Sequence, residues 1–453
     1  MRSLLLLCAL TLAVSVSAQE KFIEEPVGWR GNALELQVIS DAARQQDCLL
    51  LFDGDSIRAF ILDNQKAIVR RFYFTRLRGE EFLGGFIKEG RVHAYFESAG
   101  AAEIHEVELI VADGVANDFK WPFRPHSERA VAQLNGGDHF LSVAINKKTD
   151  QIVIYDFRGY KPADTLHYTF EAGLFNSLTA HGFFNRELHI AVGNPDHWLE
   201  MGWASAPSKL YARGDTLYLL MNKWQKGVTA VFGFGMRTKK VVFRTITHNN
   251  AATLSMPHPR YEDNSMLLDN RLYFVSADEL RLYVQIRDFA SGALLKEFSV
   301  RGDEDLSLRN TPVVVEGPHH YYDHPRALGT THDLLYEMTD GSAMVLPAPE
   351  DDGLMGLTIG SWKEETVSRP GVPNYTEIHS TRFKMLVDPA TLEHVPGKAA
   401  DDIRDRIGEY GKSIKIPPQA GRLFANNGRW VYAFYNRDTH SLEFAMFPGS
   451  SGR

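Results

Sequence analysis

Cysteine is scarce in this chain, which has only two, Cys8 and Cys48, among 453 residues. Cys8 lies inside an apolar N-terminal run, so cleavage of that run leaves Cys48 alone and excludes an intramolecular disulfide. A protein without disulfides in an oxidising compartment needs a large packed core for its stability. Because Cys48 stands in the apolar stretch 47–51, we interpret it as a small buried hydrophobic residue rather than a nucleophile.

Long apolar segments are missing after the N-terminus. Arg2 is followed by a largely apolar run over residues 4–16, and residues 16–18 (Val-Ser-Ala) supply the small side chains that a signal peptidase needs. This run is too short to cross the roughly 30 Å hydrocarbon core of a bilayer as a helix. We therefore predict a cleaved signal peptide at residues 1–18 and a soluble mature chain without membrane insertion. The mature chain is expected to be secreted from the cell or to be periplasmic.

An excess of positive charge is also lacking, since 49 Lys and Arg face 57 Asp and Glu for a net charge of −8. Nucleic-acid binding normally needs a basic face, so no nucleic-acid partner is predicted. Residues 232–235 (Phe-Gly-Phe-Gly) lack the Lys-Ser/Thr ending of a phosphate-binding loop, and no Gly-x-Ser-x-Gly motif of an α/β-hydrolase occurs. These absences disfavour nucleotide binding and α/β-hydrolase chemistry, and we predict no cofactor.

Helical periodicity is nearly absent, and only residues 401–407, with their acidic first turn, predict a short helix. The chain is instead dominated by short runs rich in Val, Ile, Leu, Phe, Tyr and Thr, separated by polar turns, which is the pattern of strands and hairpins. The clearest strands are expected at 139–145 and 151–156, at 216–221, 228–234 and 240–246, and at 271–276, 281–288 and 293–300. The fold class is therefore predicted to be all-β.

Three similar Pro/His/Arg segments punctuate this pattern at residues 125–129, 257–260 and 323–326, and their histidines are 132 and 66 residues apart. A strand is expected to begin after each segment, at His139, Arg271 and Leu334. Modules of about 50 to 66 residues with three or four antiparallel strands are what the blades of a β-propeller need. Removal of the leader from 453 residues leaves 435, which suits about seven four-stranded blades, and six or eight also fit.

We predict a single β-propeller domain over residues 19–453. Apolar strands at 430–435 and 442–447 are expected to close the ring beside an N-terminal strand. Residues 347–378, which are rich in Gly, Pro and acidic residues, are expected to form a long loop excursion from the repeat.

The three punctuating segments also supply candidate functional residues, because propellers bind ligands on the loops around the mouth of the central channel. An Arg side chain binds a carboxylate or sulfate with two hydrogen bonds, and a His side chain can accept or donate a proton near neutral pH. If these side chains converge, the implied ligand is anionic. The alternative is that these residues belong to ordinary loops and make their hydrogen bonds within their own blades. The candidates are His126, His258 and His324, with Arg129, Arg260 and Arg326.

Residues 319–324 (His-His-Tyr-Tyr-Asp-His) form the densest cluster of chemically active side chains. In an extended segment His320, Tyr322 and His324 would share one face. A His/Tyr pair can serve as base and acid for proton abstraction. Two histidines and a carboxylate can hold zinc or manganese, but the spacing matches no defined motif and no metal site is predicted. The alternative is a polar aromatic loop that contacts a partner or a sugar.

The leading hypothesis is a monomeric, exported, non-catalytic propeller. It would bind an anionic small molecule, a polysaccharide or a protein partner through Arg129, Arg260, Arg326 and His320. The alternative is an extracellular polysaccharide lyase or glycoside hydrolase with His126, His258, Tyr322 and His324 as acid and base groups. Catalysis needs these groups within about 10 Å of one another, which separates the two hypotheses.

Overall fold

The computed structural model describes most of the chain as strands in two compact units. The described residues are 20–27, 34–41, 44–76, 79–98, 103–123, 127–180, 190–193, 201–225, 227–248, 260–317, 326–350, 352–369, 372–399, 406–407, 409–410, 419–426 and 429–447. Unit 1 comprises Met1–Arg124, Gly137–His139 and Ala400–Arg453, and unit 2 comprises Pro125–Gly136 and Phe140–Ala399.

The described residues of unit 1 form three four-stranded antiparallel sheets. One has the order β1-β30-β29-β28 and contains β1 (Glu20–Pro26), β28 (Gln419–Asn426), β29 (Arg429–Asn436) and β30 (Ser441–Phe447). The next contains β2 (Leu34–Asp41), β3 (Gln46–Asp53), β4 (Ser56–Leu62) and β5 (Ile68–Thr75). The third contains β6 (Glu80–Lys88), β7 (Arg91–Ser98), β8 (Glu103–Ile110) and β9 (Val115–Pro122).

The pairing of the N-terminal and C-terminal strands agrees with the prediction from the sequence. Strand β1 pairs antiparallel with β30, from Glu20 opposite Met446 to Pro26 opposite Ser441. Strand β2 lies beside both β28 and β6, as the innermost strands of neighbouring blades do. The prediction that the C-terminal strands lie beside an N-terminal strand is thus confirmed.

The described residues of unit 2 form four sheets, two with four strands and two with five. The four-stranded sheets contain β10 (Glu128–Asn135), β11 (Phe140–Asn146), β12 (Gln151–Phe157) and β13 (Pro162–Thr169), and β19 (Tyr261–Leu268), β20 (Arg271–Asp278), β21 (Arg281–Asp288) and β22 (Leu294–Arg301). One five-stranded sheet contains β14 (Ile190–Gly193), β15 (Ser208–Arg213), β16 (Thr216–Gln225), β17 (Val228–Gly235) and β18 (Lys240–Thr247). Strand β14 runs parallel to β15.

The other five-stranded sheet has the order β24-β23-β27-β26-β25. It contains β23 (Val313–Glu316), β24 (Arg326–Leu328), β25 (Ser342–Pro349), β26 (Met355–Arg369) and β27 (Val372–Val387). The described part of unit 2 also contains the helices α1 (Ala172–Ala180), α2 (Met201–Ser205) and α3 (Thr331–Asp340). None of the helices in the described part of the chain has the length and apolar character needed to span a membrane.

The predicted fold class is confirmed, because the described residues form seven blade-like, predominantly antiparallel sheets. The strands expected in the three clearest stretches are β11 and β12, β16 to β18, and β20 to β22. The turn between β11 and β12 places Asp150 at φ 51°, a left-handed conformation that short polar side chains tolerate better than most.

Two local expectations differ from the structure. The strand expected at Leu334 is wrong, because Leu334 lies in α3, where Leu334, Leu335 and Met338 are buried at helical spacing. The loop expected at 347–378 is mostly strand, since β26 and β27 pair from Met355 opposite Val387 to Arg369 opposite Val372. Of the short helix expected at 401–407, Arg406 and Ile407 are helical, and residues 401–405 lie outside the described residues.

The core of unit 1 lies between stacked sheets. Strand β3 is apolar over residues 48–52 because this part is buried on both faces. Cys48 and Leu50 pack toward the β6–β9 sheet, whereas Leu49 and Leu51 pack toward the sheet of β1 and β28–β30. Cys48 is 0% exposed, and burial raises the pKa of its thiol. The structure thus supports its interpretation as a core residue.

Candidate ligand-binding surface on helix α3

The structure describes three of the eight candidate site residues. His126, His258, His320, Tyr322 and His324 lie outside the described residues, so their convergence stays a prediction. The three described candidates are Arg129, Arg260 and Arg326.

Arg129 and Arg326 occupy different positions in their sheets. Arg129 is an exposed residue of β10, the first strand of its sheet. Arg326 begins β24, the last strand of the sheet order β24-β23-β27-β26-β25 when it is counted from β25. The regular spacing of the Pro/His/Arg segments therefore does not place each arginine at the same point of a blade, because the third segment precedes an edge strand and a helix.

Helix α3 brings Arg260 and Arg326 onto one surface. It begins at Thr330, whose hydroxyl accepts a hydrogen bond from the Asp333 amide at 3.1 Å, an N-cap that satisfies one free donor of the first turn. Leu334, Leu335 and Met338 are buried, which leaves Tyr336 and Asp340 exposed on the opposite face. The buried residues anchor the helix to the sheets, so the position of its exposed face is determined by packing.

Three cationic side chains contact this face. The guanidinium of Arg260 lies 5.1 Å from the centroid of the Tyr336 ring and 3.9 Å from a carboxylate oxygen of Asp340. The Lys363 ammonium donates to the same carboxylate at 2.9 Å. The Arg326 guanidinium lies 3.5 Å from a carboxylate oxygen of Glu337. We call this set the α3 surface: Arg260, Arg326, Tyr336, Glu337, Asp340 and Lys363.

The electrostatics of the α3 surface leave its cations available. The hydrogen bond to Asp340 raises the pKa of Lys363, and hydrogen bonding to Tyr336 raises the pKa of Arg260, so both stay charged. Asp340 is shared between them, and Arg260 Nη1, the nitrogen that faces Asp340, is buried and makes no hydrogen bond within the described part of the chain. Side-chain exposures of 40% for Arg260 and 59% for Arg326 leave these ion pairs screened by water and weak. A ligand carboxylate can therefore contact the exposed parts of these side chains.

The sequence analysis missed a buried cluster of histidines and carboxylates in the β6–β9 sheet. His93 Nδ1 lies 2.6 Å from Glu106, and His105 lies 2.9 Å from Glu80 and 2.6 Å from Asp118 through its two ring nitrogens. Burial raises the pKa of Glu106, while its hydrogen bond to His93 opposes that rise. The sequence feature that could have identified this cluster is the presence of charged residues inside an otherwise strand-like run, as in 103–110 (Glu-Ile-His-Glu-Val-Glu-Leu-Ile).

A second missed group is a buried polar network in unit 2. Asn264 Oδ1 accepts hydrogen bonds from Lys209 Nζ at 2.5 Å and from Asn222 Nδ2 at 2.8 Å. Asn264 Nδ2 donates to the backbone carbonyls of Ser205 and Ala343 at 2.8 Å each. This network ties β15, β16, β19, α2 and β25 together, and the full burial of Lys209 marks it as structural rather than as a ligand site.

No group of three or more His, Cys, Asp and Glu is arranged to hold a metal ion within the described ranges. The described clusters instead form isolated ion pairs and hydrogen-bonded networks. The α3 surface differs from the two buried clusters because solvent reaches its arginines.

Comparisons with known proteins give no family. No family model matches the chain, and no curated protein matches it. A solved prolyl endopeptidase is similar at 11% identity with a TM-score of 0.37, over 91% of this chain and 47% of that one. Cobalt-substituted Synechocystis apocarotenoid oxygenase is similar at 9% identity with a TM-score of 0.31, over 59% of this chain and 62% of that one. The chain thus spans about half the length of the endopeptidase.

Proposed function

We propose that this protein is an exported, propeller-like binding protein that takes an anionic carbohydrate on the α3 surface. The observation that carries the proposal is the convergence of Arg260, Arg326 and Lys363 on one helix face beside the exposed Tyr336. The N-terminal leader at residues 1–18 supports export. N-terminal sequencing of the secreted protein tests this part, and cleavage after Ala18 is the expected result.

A uronate-containing polysaccharide has the matching chemistry. A guanidinium binds a carboxylate with two parallel hydrogen bonds, which is stronger than its present 3.9 Å contact with Asp340. An aromatic ring with a polar edge offers a sugar both a stacking surface and a hydrogen-bond partner. Tyr336 is 52% exposed, Arg260 lies over its ring, and Lys363 and Arg326 contact carboxylates of the same helix.

Calorimetric titration with oligouronates and with neutral oligosaccharides of equal length tests the proposal. Arg260→Ala and Lys363→Ala should each weaken oligouronate binding about tenfold or more, since a hydrogen bond to a charged group contributes about 1.5–3 kcal/mol. The matched control is Arg301→Ala, because Arg301 is 55% exposed and is also paired with a neighbouring carboxylate, that of Asp303. Binding should fall with added salt. Equal affinities in Arg260→Ala and Arg301→Ala, or no binding to the parent protein, would overturn the proposal.

The enzyme alternative stays open because its residues, His126, His258, Tyr322 and His324, lie outside the described residues. A lyase would generate unsaturated uronates, whose ultraviolet absorbance grows with time when polysaccharide is added. Growth that is lost in Tyr322→Phe would favour the enzyme. A flat absorbance trace together with saturable binding is the result that the binding proposal predicts.

A further inference from the structure

Three connections between strands meet at one end of two neighbouring sheets of unit 2. They are residues 158–161 between β12 and β13, residues 214–215 between β15 and β16, and residues 236–239 between β17 and β18. The Lys239 ammonium lies 3.0 Å from a carboxylate oxygen of Asp164, close to the start of β13. The Met236 amide donates a hydrogen bond to the Asp215 carbonyl at 2.9 Å. These contacts place the three connections side by side.

Packing between the two sheets fixes this arrangement. The Tyr168 ring of β13 lies 5.2 Å from the Phe234 ring of β17, centroid to centroid, and its hydroxyl donates to the Gly235 carbonyl at 3.1 Å. Leu166 and Leu217 are buried in the same hydrophobic cluster. Because these contacts are made within the folded chain, the relative position of the connections does not depend on a ligand.

The connections and the residues beside them carry an excess of positive charge. Residues 158–164, 214–216 and 236–240 contain five cations and two carboxylates, and all seven side chains are exposed. The two carboxylates are those of Asp164 and Asp215. We call the five cations the basic turn patch: Arg158, Lys161, Arg237, Lys239 and Lys240. This local excess contrasts with the net charge of −8 for the whole chain.

Ion pairs within the patch leave it positively charged. In the pairs of Lys239 and Arg237 with their carboxylates, every side chain is at least 47% exposed, so water screens both pairs and makes them weak. Arg158 lies 3.0 Å from Asp156, a buried carboxylate that is not among the seven exposed side chains. Even with Asp156 included, five cations face three carboxylates. The patch therefore attracts anions.

The placement of these cations fits an extended anionic surface. Cations on adjacent turns can contact one such surface at the same time, whereas a small ligand is usually held in a concave site. Tyr160 precedes Lys161 and is exposed, and the amphipathic ring of a tyrosine suits the headgroup region of a bilayer. We propose that the basic turn patch binds the surface of a membrane that contains anionic lipids. The chain lies on that membrane without crossing it, and the proposal does not rest on carbohydrate binding at the α3 surface.

Co-sedimentation of the full chain with lipid vesicles tests the proposal. Vesicles of phosphatidylcholine and phosphatidylglycerol in equal parts should bind the parent protein, and vesicles of phosphatidylcholine alone should bind it far more weakly. One cation close to an anionic membrane contributes about fivefold to the affinity, so Lys239→Gln combined with Lys240→Gln should weaken binding about 25-fold. The matched control is Lys147→Gln combined with Lys148→Gln. It also removes two adjacent exposed lysines, but from the turn at the opposite end of β12.

Added salt and a soluble polyanion complete the test. Vesicle binding should fall as salt is added, because salt screens the charges of the patch. Equal binding to both kinds of vesicle, no binding to either, or equal affinities for the two double variants would overturn the proposal. If heparin binds the parent protein but not the variant with Lys239→Gln and Lys240→Gln, while vesicles do not bind, the partner is a soluble polyanion and the membrane proposal fails.

Discussion

Replacing Lys209 with Met should change how stability depends on pH, because Lys209 is a buried amine without a charged partner among its hydrogen bonds. Its Nζ donates to the Ala206 carbonyl at 2.6 Å and to Asn264 Oδ1 at 2.5 Å. The side chain is 0% exposed, and burial lowers the pKa of the amine well below its usual value. Burial therefore favours the neutral amine in the folded protein, whereas the unfolded chain keeps its proton up to pH about 10.4.

The magnitude follows from this difference in proton binding. If the folded amine is neutral, folding releases the Lys209 proton, which costs about 1.4 kcal/mol for every pH unit below the pKa of the unfolded chain. While the folded amine stays neutral, this cost is about 4.6 kcal/mol at pH 7 and about 1.9 kcal/mol at pH 9. Met removes the cost but leaves the Ala206 carbonyl without its donor, a loss of about 1–3 kcal/mol. The variant should be the more stable protein at pH 7, and its advantage should shrink by about 2.7 kcal/mol at pH 9.

Urea unfolding at pH 7, 8 and 9, followed by tryptophan fluorescence, measures this difference. The matched control is Lys239→Met, since Lys239 is a 59% exposed lysine of the same unit, and its effect should not vary with pH. A constant difference between Lys209→Met and the parent protein at all three pH values would refute the reasoning. It would show that the folded protein keeps an ammonium at this position.

Two further changes test the packing of unit 2. Burial, reinforced by the nearby charge of Arg287, lowers the pKa of His248 to about 3, so only the unfolded chain takes up this proton as the pH falls below about 6.5. The parent protein should therefore lose about 2 kcal/mol relative to His248→Gln between pH 6.5 and 5, and parallel urea curves would contradict this. Gly360→Ala should destabilise by about 1–3 kcal/mol or more, because a Cβ would lie 1.7 Å from the Thr381 carbonyl oxygen. Thermal melts should show no such loss for Gly329→Ala, where a Cβ meets nothing within 4 Å.

The strands could be predicted from the sequence because their signal is local. Residues 271–288 alternate apolar runs with polar turns, and the structure forms β20 and β21 there. Runs such as 48–52 are apolar without alternation, which is what burial on both faces of a blade produces. The number of sheets followed from chain length divided by module size.

The helix α3 could not be separated from a strand by the same reasoning. Its adjacent Leu334 and Leu335 are apolar, as in a buried strand, and a ten-residue segment carries little periodicity. The N-cap at Thr330 was the missed signal. Likewise, residues 363–369 were predicted to be part of a loop because they are polar. A pair of strands that is not packed into a core has no apolar face that would identify it as strand.

The candidate site was predictable in part. Arg260 and Arg326 were identified as binding residues, but Lys363 and Tyr336 were not, because their meeting depends on how α3 packs against β26. The Lys209 network was hidden for the same reason, since Lys209 and Asn264 lie on different strands, 55 residues apart in the chain. Pattern and composition report on neighbours in the sequence, whereas these contacts join distant segments.

Hydrogen–deuterium exchange with and without a saturating oligouronate tests the central claim most directly, because it locates the bound ligand. The account predicts slower exchange in Thr331–Asp340 and in the peptide that contains Lys363, and no such slowing in Arg260→Ala. Protection confined to the sheets of unit 1, with α3 unchanged, would contradict it.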